Sequence, residues 1–282
     1  MLITHFSLLI GSYLTLKEEE MSKIGIIGGS GLYGIQGLVH KSRKKIKTPF
    51  GKPSDDYLTG EIGDVQIIFL PRHGKHHDIP PHMINYRANI WGFQKLGVER
   101  ILSINAVGCI KKGLKPGDIV LTDQVIDMTK SRSSTFYDGK DGVVHIDFTE
   151  PYCPELREIL IKAGKRTKVP VKDRSTYVAV EGPRLESTAE IKSFRILGGD
   201  VVGMTGMPEA SLARELEICY SGISVVANFA AGISKKRLTV SEVMLAMKSS
   251  TEKLKLLLKE TFAIVPPKRK CNCGEALRDA KI

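Results

Sequence analysis

The chain predicts an α/β fold, a single domain with a twisted mixed β-sheet flanked by helices. Three observations point to it. Short runs rich in Ile and Val stop at glycine or polar residues, as strands covered on both faces do. Segments with helical periodicity alternate with these runs, the order of an α/β domain. No internal repeat and no low-complexity linker interrupts the 282 residues, a length that suits one large α/β domain or two small ones.

The elements follow in order. Residues 1–20 precede a second methionine, Met21, and are mildly apolar without a basic start or a small-residue cleavage site, so they make a poor signal peptide. The expectation is that translation starts at Met21, that residues 1–20 are an extension, and that the domain runs over 21–265. Lys23–Ile27 is the first strand, and KIGIIGGSGLYG carries it into a glycine turn whose N–H groups suit an anion. Gly29, Gly31 and Gly34 satisfy the dinucleotide spacing. A Rossmann unit also needs an amphipathic helix and an acidic strand end. Gly37, the basic run and two prolines deny both, which leaves Ser30 as the residue of interest.

Val65–Leu70 is the next strand and delivers Pro71-Arg72-His73-Gly74, where Arg72 can grip an oxyanion with paired donors and His73 can add another. His76 and His77 enrich the segment, but only Asp78 joins them, so it is not read as a metal site. A helix is expected over Met83–Leu96. The strand Arg100–Asn105 ends in Asn105-Ala106-Val107-Gly108, small enough for close backbone approach. Further strands are Ile119–Ile126, Thr176–Val180, Val201–Met204 and Ser224–Asn228. Further helices are Pro154–Arg166, Ser187–Leu197, Pro208–Leu216 and Val240–Phe262. Thr205 lies just before a helix N-terminus, a favourable place for an anion. Asn228 ends a buried strand and can both donate and accept at the edge of a heterocycle. The last helix is capped by Thr239 or Ser241, and Val243, Met244, Met247, Leu254, Leu257 and Leu258 form its apolar stripe.

The formal net charge is +11, which favours anionic partners. The lysines are scattered, and the clusters Arg43–Lys47 and Lys268–Lys270 lack the aromatic interleaving of a nucleic-acid surface. No apolar run reaches the roughly 18–20 residues a membrane span requires, so neither nucleic acid nor membrane is an expected partner. Five cysteines without a secretion signal suggest a cytoplasmic chain. Residues 266–282 form a basic tail, expected to be peripheral, with the pair Cys271-Asn272-Cys273. Two thiols alone make a weak metal case. A staple or redox pair is an alternative, and free thiols are the expectation.

Together these stretches resemble the purine nucleoside phosphorylase superfamily, and its methylthioadenosine phosphorylase branch most. The motifs are GGSG, TPFGKPSD (Thr48–Asp55), RHG, NYRANIW (Asn85–Trp91), KPGD (Lys115–Asp118), FYDG (Phe136–Gly139), EGPR (Glu181–Arg184) and MTGMPEA, in that order between Lys23 and Phe262. The resemblance implies a nucleoside phosphorylase-like fold and reversible phosphorolysis of a purine nucleoside, with inorganic phosphate as co-substrate and no metal or organic cofactor. It assigns phosphate binding to Ser30, Arg72, His73, Asn105, Ala106 and Thr205, and the ribose to Met204. The base falls to Asn228, Phe229 and Ala230, with Leu185 where the family often has phenylalanine. His145 matches a residue that reaches a neighbouring subunit's site, which implies a homotrimer or a hexamer. Glu186, Ala230, Val240 and Met244 are the expected specificity positions.

Relatives that cleave adenine nucleosides carry two aspartates where this chain has Asn228 and Ala230. Adenine presents an amino donor beside N7, whereas 6-oxopurines present O6 beside N7, both acceptors. A carboxylate repels O6 and an Asn228 amide donates to it, and such a mismatch is strongly discriminating. The expected substrates are therefore inosine or guanosine, with Asn228 also stabilising charge on the leaving base. The alternative is a methylthioadenosine or methylthioinosine phosphorylase in which Val240 and Met244 hold the methylthio group.

Overall fold

The computed structural model describes residues 21–29, 39–139, 142–234 and 240–282, without the side chains at 40, 41, 240 and 242. The extension before Met21, the expected start site and the Thr239 cap lie outside or at the edge of these residues.

The sheet is built outward from β1 (Ser22–Gly28). It pairs in parallel with β4 (Val65–Pro71) on one side and β5 (Arg100–Cys109) on the other. Ile24 and Ile26 pack into one core layer and Ile27 into the other, which is why the run is apolar without alternation. Gly25 is required here, since a Cβ would sit 2.9 Å from the Phe93 ring. Beyond β4 come two antiparallel strands, β3 (Tyr57–Ile62) and, at the edge, β2 (Val39–Lys44).

Past β5 the sheet curls. β8 (Val201–Gly203), β7 (Val171–Val180), β6 (Ile119–Met128) and β9 (Cys219–Phe229) follow in that order, and β9 pairs back onto β5. The result is a nine-stranded mixed sheet closed on itself at one side. Helices α1 (Tyr86–Lys95) and α4 (Gly206–Glu215) cover one face, while α2 (Pro154–Thr167) and α5 (Val240–Ile264) cover the other. Helix α3 (Thr188–Ile196) closes a smaller cluster of Val178, Val202, Ile191 and Phe194. The expected fold class is the observed one.

Several boundaries need correction. The helix expected over Met83–Leu96 begins only at Tyr86, because Asn85 caps it by accepting from the Ala88 amide, and Pro81–Met83 is a separate 3₁₀ turn. The strands ending at Asn105 and starting at Ser224 extend to Cys109 and back to Cys219, through Gly, Ala and Ser positions that read locally as loop. The C-terminal tail is not peripheral. The Pro267 carbonyl accepts from Ser22 and from the buried Arg100, and Cys273 and Ala280 are buried. Ile282 donates to the Val143 carbonyl and His145 to that of Ala280.

Candidate active site

Sheet register assembles the site. Gly28 lies opposite Pro71 and Ile27 opposite Ser103, while Asn105 lies opposite Ser224 and Gly108 opposite Asn228. The carboxyl ends of four mutually parallel strands therefore meet at one edge, where open α/β sheets bind ligands. The Arg72 amide donates to the Gly28 carbonyl, which fixes the Arg-His turn against the start of the glycine loop. Ser30 itself lies outside the described residues. Gly74 turns the chain at φ +77°, and a Cβ there would meet Asp78 at 2.8 Å.

The Arg72 side chain differs from expectation. It is 2% exposed and faces Glu209, which is fully buried. Its Nε donates to Oε1 at 2.5 Å and its Nη2 to Oε2 at 3.1 Å. Nη2 also reaches Ser103 Oγ at 2.7 Å, and Nη1 donates to the Ile104 carbonyl at 2.8 Å. Burial pulls the guanidinium's affinity for its proton down, but the adjacent Glu209 carboxylate more than offsets this and holds it charged. The paired edge is thus committed to Glu209, and a single Nη1 N–H has no partner among the described residues. Ser103 and Tyr220 complete the carboxylate, each donating to Oε2.

Asn105 and Thr205 join this network. Thr205 Oγ1 donates to Asn105 Oδ1 at 2.8 Å, and Asn105 Nδ2 donates to Ser103 Oγ. The amides of Thr205 and Gly206 donate to the Tyr177 hydroxyl, and Met207 and Pro208 are non-helical. The first N–H groups of α4 are therefore already engaged, which corrects the picture of an open helix end. Ala106 is the one exposed residue of an otherwise buried β5, a gap that opens the sheet edge to a ligand. His73 donates from Nδ1 to the Ile79 carbonyl at 2.8 Å, so Nε2 faces the site as an acceptor while the ring is neutral. Burial, then the charge of Arg72, push its pKa down to about 4.

At the other end, Asn228 and Phe229 are partly exposed and Ala230 is buried. Asn228 Nδ2 donates to the Phe229 carbonyl at 2.8 Å, so one of its two amide hydrogens is turned back onto the chain. Gly108 makes room for this amide, since a Cβ there would stand 3.2 Å from Nδ2. Ala230 packs in the α3 cluster with Ile110 and Ile191. Gly232, at φ +77°, abuts Thr188, which brings the turn after β9 against the Leu185-Glu186 segment. Leu185 is 48% exposed, and burial raises the pKa of the Glu186 carboxyl. Met204 is partly buried and stacks its sulfur on Gly182, where no Cβ fits. Met244 is 66% exposed, while the Val240 side chain is outside the described residues. His145 is exposed; its neighbours Val144 and Ile146 line a cavity of about 400 Å³ whose wall also includes Met207 from the turn into α4, but none of Arg72, His73, Asn105, Thr205 or Asn228.

Over residues 23–263 the sequence matches the model of the phosphorylase superfamily. The chain belongs to that superfamily, in its methylthioadenosine phosphorylase branch. A 6-oxopurine nucleoside phosphorylase of Pyrococcus furiosus is 50% identical over 266 residues, covering 92% of this chain and 99% of the relative. A probable S-methyl-5′-thioinosine phosphorylase of Thermodesulfovibrio yellowstonii is also 50% identical, covering 94% and 99%. The crystal structure of a methylthioadenosine phosphorylase from an antarctic soil metagenomic library superposes with a TM-score of 0.87 at 38% identity, covering 93% of both chains.

In this phosphorylase, the sequence reading missed three polar groups that hold the site in shape. Glu209 was visible only as part of MTGMPEA. Tyr177 lies inside a strand and carries no local signal. Arg132 donates to the carbonyls of Met204, Met207, Val180 and Glu181 and to the Tyr86 hydroxyl, tying the turn before α4 to the end of β7.

Proposed function

We propose that the chain is a purine nucleoside phosphorylase that cleaves 6-oxopurine nucleosides, inosine or guanosine, with inorganic phosphate. A phosphate oxygen forms a bond to C1′ as the C1′–N9 bond breaks, and the base leaves with the electron pair to take up a proton. The products are free base and ribose 1-phosphate. Phosphate would sit at the β1–β4–β5 edge, against the remaining Arg72 N–H, the second Asn105 amide hydrogen, Thr205 and the loop bearing Ser30, with His73 beside it. Met204 would support the ribose. Catalysis then consists of positioning and electrostatic stabilisation of a cationic sugar between a phosphate dianion and a charge-accepting base.

The observation that carries the substrate is Asn228 at the end of β9, with a neutral, buried Ala230 two residues on. Its second amide hydrogen can donate to O6 or N7, and no carboxylate side chain at either position repels O6. Glu186, a carboxyl whose pKa burial raises, lies at the same end. The name of the Pyrococcus furiosus relative agrees with this reading. A second reading keeps the base and changes the sugar: exposed Met244 in the first turns of α5 offers an apolar contact for a 5′-methylthio group, in line with the thioinosine relative. Phosphate-dependent base release from inosine, guanosine, adenosine, methylthioadenosine and methylthioinosine, run in parallel, decides between them. Preference for methylthioadenosine would make the chain a methylthioadenosine phosphorylase, in line with the thioadenosine relatives, and preference for adenosine would overturn both.

We further propose a homotrimer or a hexamer in which His145 serves a neighbouring site. Light scattering gives the state, and His145→Ala should raise KM for nucleoside without altering the phosphate dependence.

A further inference from the structure

Four of the five cysteines, Cys153, Cys219, Cys271 and Cys273, converge from three distant segments, with all four Sγ atoms within 4.8 Å of one another. Cys153 caps α2, Cys219 opens β9, and in the docked tail Cys271 precedes the 3₁₀ turn Asn272–Glu275 while Cys273 lies within it. The two tail cysteines are therefore not a lone pair, and the reading of the C-x-C as two isolated thiols is corrected. All are free thiols, and the closest contact recorded, Cys219 to Cys271, is 3.3 Å. A zinc ion bound by four thiolates at about 2.3 Å sets its sulfurs near 3.75 Å apart, inside the observed spread.

Buried cysteines also occur as small apolar side chains, and three of these belong to the core cluster under α2 and α5. The surroundings differ from those of an apolar packing site. The Leu156 amide donates to Cys153 Sγ at 3.5 Å, at the positive end of a 14-residue helix. The Arg269 guanidinium lies close enough to Cys219 to interact with it electrostatically and donates to the Glu217 carbonyl at 2.5 Å. Its guanidinium passes over Gly274, where a Cβ would lie 2.8 Å from Nη2. Glu155 holds the amides of Lys270 and Cys271 at 2.8 and 3.0 Å, fixing the backbone of the pair. Oriented N–H donors and a cation beside clustered thiolates are the outer shell a thiolate metal site needs.

We propose that these four cysteines form a structural zinc site that clamps the C-terminal tail to the body of the enzyme. Each thiol releases its proton as Zn²⁺ binds, with no change of oxidation state. The four sulfurs fill a tetrahedron, which leaves no open position for catalysis. The clamp lies well before the tail's last residues, which pair with Val143 and His145.

The test uses the full chain, expressed with zinc in the medium and purified without oxygen. About one zinc per chain is expected, and Co²⁺ exchanged into the site should give the thiolate-to-cobalt charge-transfer and intense visible bands of a tetrahedral S₄ centre. Cys271→Ser with Cys273→Ser should lower zinc content at least about tenfold and lower Tm, whereas Cys109→Ser should change neither. Should the double variant not fold, cobalt titration of the unaltered chain still decides. A metal-free protein that takes up no Co²⁺ overturns the proposal, whether its thiols are then found free or joined as disulfides.

Discussion

The two ends of the candidate site are built in opposite ways. At the end proposed to hold phosphate, Arg72, Glu209, Ser103, Asn105, Thr205 and Tyr220 are all buried and hold one another. At the end proposed to hold the base, Asn228, Phe229, Leu185 and Met244 stand partly or largely exposed on a strand end, a turn and a helix start. Each end has an arginine–glutamate pair, and the pairs show the contrast. Arg72–Glu209 has side-chain exposures of 2% and 0%, whereas Arg184–Glu190 has 70% and 36%. If the proposed roles hold, the feature common to every substrate is locked into the core, while the part that chooses the substrate sits where a substitution leaves the fold intact.

The contrast breaks first at Glu209. Glu209→Ala leaves a buried guanidinium unpaired and should destabilise the chain by about 3–5 kcal/mol, read from denaturant unfolding. A loss below about 1 kcal/mol would mean that the phosphate end does not depend on this pair.

His73 gives the next largest effect. Its folded pKa, near 4, lies below the unfolded value of about 6.5, so between those values the unfolded chain binds more protons. Stability is therefore fully present above about pH 6.5 and is lost as pH falls toward 4, by up to about 3 kcal/mol. His73→Gln should flatten that slope, and an unchanged slope would remove the histidine from the account.

Substitutions at the base end sharpen the comparison. Asn228→Asp should fold normally and move the inosine-to-adenosine ratio of kcat/KM toward adenosine by at least about tenfold. Ala230→Asp buries a carboxylate beside Ile110 and Ile191 and should cost about 1–3 kcal/mol. The pair of substitutions is thus expected to change specificity only in a weakened protein. An Asn228→Asp enzyme with the parent ratio would separate the amide from substrate choice. Arg184→Ala, at the exposed pair, should leave the unfolding midpoint unchanged, because exposed ion pairs contribute little; a clear drop would show that the capping box of α3 depends on it.

The same contrast explains what could be read from the sequence. The runs at Ile24–Ile27 and Val65–Leu70 are buried on both faces, so composition alone marks them. β2 reads VHKSRK; it is an edge strand whose side chains at 42–44 are exposed, and nothing apolar announced it. β3, with YLTGEI, is half-buried and broken by glycine. Asn105 and Asn228 lie toward one edge because parallel register aligns β5 with β9, although Asn105 sits inside β5 rather than at its end. What the side chains do there was not legible. The partner of Arg72 is 137 positions away, and two of the four clustered cysteines lie 52 or more positions from the C-x-C. Local patterns define where a strand stops, and only closure of the sheet decides which groups it meets.

The Arg72–Glu209 pair has one more consequence. The arginine's charge is balanced from within by Glu209, so a phosphate bound there as proposed would meet oriented N–H groups rather than a surplus of positive charge. Such a site is weakly sensitive to ionic strength despite the chain's overall charge of +11, because screening acts on exposed charges and little on buried, compensated ones.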